Sequence, residues 1–281
     1  MQVFSTQREL RNYLEPLAAQ GKSVGFVPTM GALHQGHISL IKRAKSENDI
    51  VVCSIFINPT QFNNADDLAK YPRVKDQDLA LLGQFDCQVV YTPEVEDIYP
   101  NGTIADSFDF GLLESVMEGK YRPGHFKGVA TVVNRLFNAV KPTRAYFGEK
   151  DFQQLAIIRA LVKMKKLPID IIGCPTSREA DGLAMSSRNL RLTLQQRHAA
   201  PAIYESLINL KEYVGTKTLE KARIKAIEEI NAHPSLAVEY LEIVDAETLQ
   251  PIAEWEDAKH AQVCTAVFAG EVRLIDNLAL Y

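Results

Sequence analysis

The sequence predicts an α/β protein: a doubly wound parallel sheet in the N-terminal part, followed by a smaller α+β domain. Three observations predict it. From Ser23 to about Pro175, short apolar runs alternate with stretches of helical period. The links between them are short, which calls for right-handed crossovers and parallel strands. After Thr176 the order changes to helices followed by strand-like runs, and 281 residues at roughly 150 per domain suggest two domains.

Ser23–Val27 (SVGFV) reads as a short buried strand ending at Pro28. His37–Lys45 places Ile38, Leu40, Ile41 and Ala44 at helical spacing. Asp49–Ile57 (DIVVCSIFI) is a continuous apolar run, as a strand covered on both faces requires. Lys75–Leu82 reads as a helix, Cys87–Tyr91 as a strand and Gly128–Val140 as a helix. Ala145–Phe147 reads as a strand, Phe152–Lys165 as a helix and Ile169–Cys174 as a strand. Residues 177–193 are polar and lack a clean period. Two helices follow, Gln195–Val214 and Leu219–Ala232, and then three strands, Val238–Val244, Gln262–Phe268 and Val272–Leu278. The boundary falls near 176–186, giving domains of 1–176 and 177–281.

Composition narrows the function. With 46% hydrophobic and 23% charged residues the chain reads as an ordinary soluble globular protein. Thirty-one basic against 35 acidic residues give a net charge of −4, which argues against a nucleic-acid partner. A small anion held by a few local cations is compatible with that balance. No apolar run approaches the roughly 18–20 residues of a membrane span, so no membrane partner is expected. Met1–Arg11 has no apolar core and is not expected to be a signal peptide. Cys53, Cys87, Cys174 and Cys264 form no CxxC pair, so buried reduced thiols in a cytoplasmic protein are expected.

Five polar turns carry candidate chemistry. The first strand runs into Met30-Gly31-Ala32-Leu33-His34-Gln35-Gly36-His37, at the mouth of a helix. Ligands of open α/β sheets sit beyond the carboxyl ends of strands and beside helix N-termini. A His-x-Gly-His step there suits a polyphosphate, since two imidazoles three residues apart share a face and can donate hydrogen bonds. The same residues fit a plain strand–helix turn with a histidine at the cap, or a zinc pair, although no third ligand stands at a useful spacing. Gly148-Glu149-Lys150-Asp151-Phe152-Gln153-Gln154 offers a lysine for phosphate, an Asp for ribose hydroxyls and two amides for a small polar ligand. It also fits an ordinary polar cap with Asp151 as N-cap. Met185-Ser186-Ser187-Arg188-Asn189 can clamp a leaving pyrophosphate or serve as a solvated linker. Asn58-Pro59-Thr60-Gln61-Phe62 and Tyr121-Arg122-Pro123-Gly124-His125-Phe126 are polar turns of either kind. In a doubly wound sheet several such ends converge on one crevice, so the five turns reinforce one another.

With those residues in view, the chain resembles the HxGH nucleotidyltransferase superfamily and, within it, the pantothenate synthetase (pantoate–β-alanine ligase) family. The matching stretches are VPTMGALHQGH, SIFINPTQF, YPR, IYPNGT, RPGHFKGVATVV, FGEKDFQQL and READGLAMSSRN, in that order from Val27 to Asn189. The C-terminal part carries no comparable signature. The resemblance implies a Rossmann-like nucleotide- and pantoate-binding domain with a C-terminal lid. It implies ATP-dependent condensation of (R)-pantoate with β-alanine to pantothenate, AMP and pyrophosphate through a pantoyl adenylate, in pantothenate and coenzyme A biosynthesis. It implies a homodimer with no nucleic-acid partner, ATP as a substrate and Mg²⁺ carried on ATP.

The resemblance also implies roles. His34 and His37 contact the ATP phosphates, His37 as proton donor, and Met30 and Gly31 line the same turn. Lys150 binds phosphate in the adenylation transition state, with Gly148 and Asp151 near the ribose and Glu149 between them. Ser186, Ser187 and Arg188 grip the β- and γ-phosphates, with Met185 beside them. Gln61 and Gln154 hold pantoate, and Gln61 also borders the β-alanine site. Asn58, Tyr71 and Arg122 match positions of second rank. Two positions depart from the pattern. Gln77, in Asp76-Gln77-Asp78, replaces a carboxylate found in some members, so a protein ligand for Mg²⁺ is not expected there. Ser177 stands where many members place an apolar residue whose backbone approaches adenine. Gly182 and Ala184 are small enough to accommodate a hinge for the lid. Two rival readings are a sibling nucleotidyltransferase with a phosphorylated acceptor, disfavoured by the neutral amides of NPTQF and FQQL, and a catalytically inert binding module, disfavoured by the intact HxGH, Lys150 and SSR set.

Overall fold

The computed structural model describes residues 1–281, and the chain divides into two compact units. The first comprises Met1–Phe110, Arg122–Glu149 and Gln154–Pro175; the second comprises Gly111–Tyr121, Lys150–Gln153 and Thr176–Tyr281.

The first unit is built on six parallel strands: β1 (Gln2–Phe4), β2 (Val24–Thr29), β3 (Ile50–Ile55), β4 (Val89–Tyr91), β5 (Arg144–Gly148) and β6 (Asp170–Cys174). Their order is β1-β4-β3-β2-β5-β6. The chain therefore winds outward from β2 in one direction and then in the other, which places a topological switch point between β2 and β5. Val27, Ile41, Val51, Cys53, Leu82, Val90 and Tyr146 are fully buried in its core. The inner residues of β3 and all of β4 are buried, as strands covered on both faces must be.

Several boundaries differ from expectation for physical reasons. β2 does not end at Pro28 but runs through it to Thr29. Val24 carbonyl accepts from Thr143 on the β5 side, whereas Ser23 and Thr29 carbonyls accept from Ile50 and Phe56 on the β3 side. Bonding direction alternates along a strand, so Pro28 faces β5, where pairing has already stopped at Phe26, and its missing N–H costs no ladder bond. The helix expected from His37 begins at Gln35 and the one expected from Gly128 begins at His125. The single helix expected over Gln195–Val214 is two, Leu194–Ala199 and Ala202–Glu212, because Pro201 cannot continue the first. β1 and the helix Gln7–Ala19 were not expected; the strand has three residues and the helix contains Pro16.

The second unit carries an antiparallel sheet of β7 (Leu236–Asp245), β8 (Ala261–Ala269) and β9 (Val272–Ala279) in that order. The helices Ala202–Glu212 and Leu219–Asn231 share its core, where Leu207, Leu210, Ala222, Ala226, Ile230, Val263 and Val267 are fully buried. Arg273 of β9 bonds both Glu118 and Glu239 and is 2.7 Å from Glu118 Oε1, while Tyr240 hydroxyl donates to the same carboxylate at 2.8 Å. All four cysteines are buried free thiols, and burial pushes Cys87 and Cys174 up to about 11. No helix is long and apolar enough to cross a membrane.

Candidate functional site

The C-terminal end of β2 lies at the switch point, the place where open α/β sheets bind ligands. Thr29 Oγ1 donates to Ser54 carbonyl at 2.7 Å and accepts from Gly31 N–H at 3.2 Å. Gly31 and Ala32 then adopt left-handed backbone, with φ of 81° and 49°. Such a conformation costs an L-residue about 1–2 kcal/mol, so the surroundings must hold Ala32 there. Asp78 does so: its two carboxylate oxygens accept from Ala32 N–H at 2.9 Å and Leu33 N–H at 2.7 Å. Burial pushes the Asp78 carboxyl up from its ordinary range, against the two amide bonds that pull it down.

The turn delivers His34 to the N-cap of the helix Gln35–Glu47. His34 Nδ1 accepts from Gly36 N–H at 3.2 Å, and His37 Nδ1 accepts from His34 N–H at 3.2 Å. The two rings lie 4.1 Å apart. A backbone N–H can only donate, so each neutral imidazole carries its proton on Nε2. Two ring donors thus stand at a helix N-terminus beyond a central strand, a place suited to an oxyanion.

The turn after β3 fixes the polarity of Gln61. Asn58 is buried; its Nδ2 donates to Gly128 carbonyl at 3.1 Å and to Gln61 Oε1 at 3.0 Å. Asn58 Oδ1 accepts from Tyr99 hydroxyl at 2.5 Å and Thr60 hydroxyl at 3.0 Å. A carbonyl only accepts, so the Asn58 amide has one orientation, and Gln61 must turn its oxygen toward Asn58 and its Nε2 away, 2.9 Å from Met30 Sδ. Gln61 therefore directs its amide nitrogen away from Asn58, with one N–H donated to Met30 Sδ. His125 Nδ1 donates to Gln61 carbonyl at 2.8 Å, and Arg122 Nη2 reaches it at 3.4 Å. Gly128 is required here, because a Cβ would overlap the Thr60 carbonyl. The Arg135 guanidinium lies 4.3 Å from the centroid of the Tyr99 ring, and Tyr71 packs edge-on against Phe62.

β5 ends at Gly148 and continues as one 3-10 turn, Glu149–Asp151, into the helix Phe152–Lys165. Lys150 Nζ lies 3.8 Å from Asp151 Oδ2. Of the two glutamines offered for a ligand, Gln153 is buried and donates to Leu113 and Val116 carbonyls at 2.7 and 2.9 Å, whereas Gln154 is half-buried.

Residues 177–185 form a small hairpin rather than a solvated linker. Met185 N–H donates to Ser177 carbonyl at 2.9 Å and Glu179 N–H to Leu183 carbonyl at 2.8 Å. Gly182 is held by packing: at φ 90° a Cβ would meet the Tyr204 ring, against which the Arg178 guanidinium also stacks at 3.6 Å. Ala184 is buried. Ser186 then caps the short 3-10 helix Ser187–Arg191, accepting from Arg188 N–H at 3.2 Å.

The structure thus gathers the expected residues into two groups. Met30, Gly31, His34, His37, Asn58, Gln61, Gly148, Glu149 and Gln154 belong to the first unit. Lys150, Asp151, Ser177, Met185, Ser186, Ser187 and Arg188 belong to the second. No cluster of three or more His, Cys, Asp or Glu side chains is arranged to hold a metal ion. The sequence reading passed over Asp78, Tyr99 and His125 as supports. Asp78 sits in the first turn of a helix, where a carboxylate reads as ordinary, and Tyr99 and His125 lie in matched stretches without an assigned role.

Comparison with known proteins agrees over the whole length. The sequence profile of the family described as pantoate-beta-alanine ligase matches residues 2–279. The chain is 51% identical to the pantothenate synthetase of Porphyromonas gingivalis over 278 residues, 99% of each chain. The crystal structure of pantothenate synthetase from Thermus thermophilus superposes with a TM-score of 0.93 at 44% identity, covering 100% of both chains. That of the Francisella tularensis pantoate-beta-alanine ligase, complexed with beta-gamma ATP and β-alanine, gives a TM-score of 0.85 at 39% identity over 100% of this chain and 98% of that one.

Proposed function

The chain belongs to the pantoate–β-alanine ligase family, and on that premise we propose that its turns catalyse the ATP-dependent condensation of (R)-pantoate with β-alanine. Pantoate's carboxylate attacks the α-phosphorus of ATP and pyrophosphate leaves, giving pantoyl adenylate. The β-alanine amine then attacks the acyl carbon and AMP leaves with the carboxyl oxygen it had acquired. A free carboxylate is a poor acyl donor; the mixed anhydride supplies a good leaving group but must be kept from water.

The observation that carries this reading is the double-histidine cap. Both imidazoles bond backbone through Nδ1 and hold their protons on Nε2, so the helix mouth offers preorganised donors for charge developing on phosphate oxygens. His37 is the proton donor to the phosphates, His34 its neighbour, and Met30 and Gly31 shape the turn. Lys150 and the Ser186–Arg188 segment neutralise the remaining phosphate charge, with Met185, Ser177, Gly148, Glu149 and Asp151 around the nucleoside. Gln61, donors outward, meets pantoate's oxygens together with Gln154, and its donors also suit the carboxylate of β-alanine.

Mg²⁺ would enter this scheme with ATP, held by the phosphates, and would offset their charge; both Asp78 oxygens are engaged by backbone amides. Residues 177–281 serve as a lid that responds to ATP, and the active protein is a cytoplasmic homodimer. The test is AMP release from ATP. It requires pantoate and β-alanine together for multiple turnovers; AMP release of equal size without pantoate would be ATP hydrolysis and would overturn the reading, whereas pyrophosphate release that leaves AMP joined to a phosphorylated acceptor, with no free AMP, points to a sibling nucleotidyltransferase.

A further inference from the structure

β9 carries a polar pair, Asp276–Asn277, within an otherwise largely aliphatic strand, and both are nearly buried, at 4% and 6% exposure. Buried polar groups must be matched by partners, so their bonds show what they are for. Asn277 Nδ2 donates to the main-chain carbonyl of Lys150 at 2.8 Å, and its Oδ1 accepts from buried Gln262 Nε2 at 2.7 Å. Asp276 accepts from both Nη atoms of Arg178, at 2.6 and 2.9 Å, and from Asn277 N–H at 2.8 Å. Arg178 in turn donates to Gly182 carbonyl at 3.1 Å and closes the hairpin that leads to Met185 and Ser186. A pocket in the same unit is lined by Lys150, Ser186, Asn189 and Asp276. Arg178 Nη2 also donates to Asn277 carbonyl at 3.3 Å, so two adjacent residues of β9 together hold the lysine-bearing turn and the serine-bearing hairpin, the Asn277 side chain serving the turn and the Asp276 side chain the hairpin.

We propose that Asp276 and Asn277 are positioning residues for the phosphate chemistry, setting Lys150 and the 177–185 hairpin that leads into Ser186–Arg188 in register with each other. This rests on the phosphate role given above to Lys150 and Ser186–Arg188. The bond to Lys150 has a fixed polarity: a carbonyl accepts, so only the amide nitrogen of Asn277 can serve it. Asn277→Asp keeps the shape and sets a lone pair against that carbonyl; Asn277→Ala removes the donor without adding charge.

The experiment is pantoate-dependent exchange of labelled pyrophosphate into ATP, read with the pantoate KM and Tm. Displacing a reacting group by about 1 Å costs on the order of 10²-fold, so both variants are expected to lose about 10- to 100-fold in exchange rate with the pantoate KM within about threefold. Thr265→Val is the control. It removes a similarly buried bond from the same sheet, Thr265 hydroxyl to Tyr240 carbonyl at 2.7 Å, and is expected to lower Tm while leaving exchange near wild type. Asn277 variants that exchange normally, or a Thr265→Val loss as large as theirs, overturn the proposal. Lys150→Ala run alongside separates the two levels. If it loses exchange while the Asn277 variants do not, only the positioning role falls; if it exchanges normally, the phosphate reading falls and the positioning role with it.

Discussion

Each histidine of the first turn bonds the backbone through one nitrogen and carries its proton on the other, so its structural and chemical roles are tied to different atoms. His37→Ala removes one donor to the developing phosphate charge and is expected to lower turnover by about 10²–10³-fold. Pantoate affinity should change little; steady-state kinetics with each substrate varied check both, and a variant within tenfold of wild type removes His37 from the mechanism. Gln61 allows a sharper test, because its polarity is set by Asn58 rather than by the ligand. Gln61→Ala deletes a donor, whereas Gln61→Glu puts a carboxylate where pantoate's oxygens are expected. A site whose buried polar group opposes the ligand rejects it more strongly than one that lacks the group. Pantoate binding measured by calorimetry should therefore weaken more in Gln61→Glu than in Gln61→Ala, with ATP binding near normal in both; the reverse order would show that Gln61 accepts rather than donates.

At the scale of elements, Asp49 joins the beginnings of β2 and β3. It accepts from Ser23 N–H at 2.9 Å, Ser23 hydroxyl at 2.8 Å and Lys22 at 3.1 Å. These bonds, the Ser23 amide foremost, hold its carboxyl down at about 2 from an ordinary 3.8. A depressed folded-state pKa means a contribution fully present above about pH 4 and lost as the pH falls toward 2. Urea unfolding of Asp49→Asn should show a shallower loss of stability across that window than wild type; parallel curves would contradict it. The hairpin and cap of 177–190 carry the second expectation at this scale. ATP should protect these amides from hydrogen exchange and AMP should do so weakly, since the proposed grip is on the β- and γ-phosphates. Arg188→Ala should remove most of that protection with little change in Tm, and equal protection by AMP would leave the segment without a phosphate role. Much of this was readable in advance. The alternation of apolar runs marked five of the six parallel strands, and Phe152–Lys165 has the bounds expected of it. Period cannot see what tertiary bonds decide: that Pro28 faces an unpaired flank, that Gly182 is spent on Tyr204, or that Gln153 is an anchor while Gln154 is not. The candidate turns were legible because chemistry-bearing residues follow strand ends. Their supports were not, since Asp78, Tyr99 and Asn277 act from 46, 41 and 127 residues away on Ala32, Asn58 and Lys150.

For the whole molecule, the central claim is that one chain runs two half-reactions through a sheltered anhydride. Phosphate-type side chains (His34, His37, Lys150, Ser186, Arg188) and amide-type side chains (Gln61, Gln154) occupy different turns, as two subsites for ATP and pantoate would require. The first half-reaction needs both subsites and no amine, and it is reversible as long as water is kept from the adenylate. The most direct measurement is isotope exchange of labelled pyrophosphate into ATP with Mg²⁺ and pantoate present and β-alanine omitted. The account predicts exchange that depends on pantoate and proceeds without β-alanine. Exchange that appears only when β-alanine is added, or that proceeds without pantoate, would contradict it.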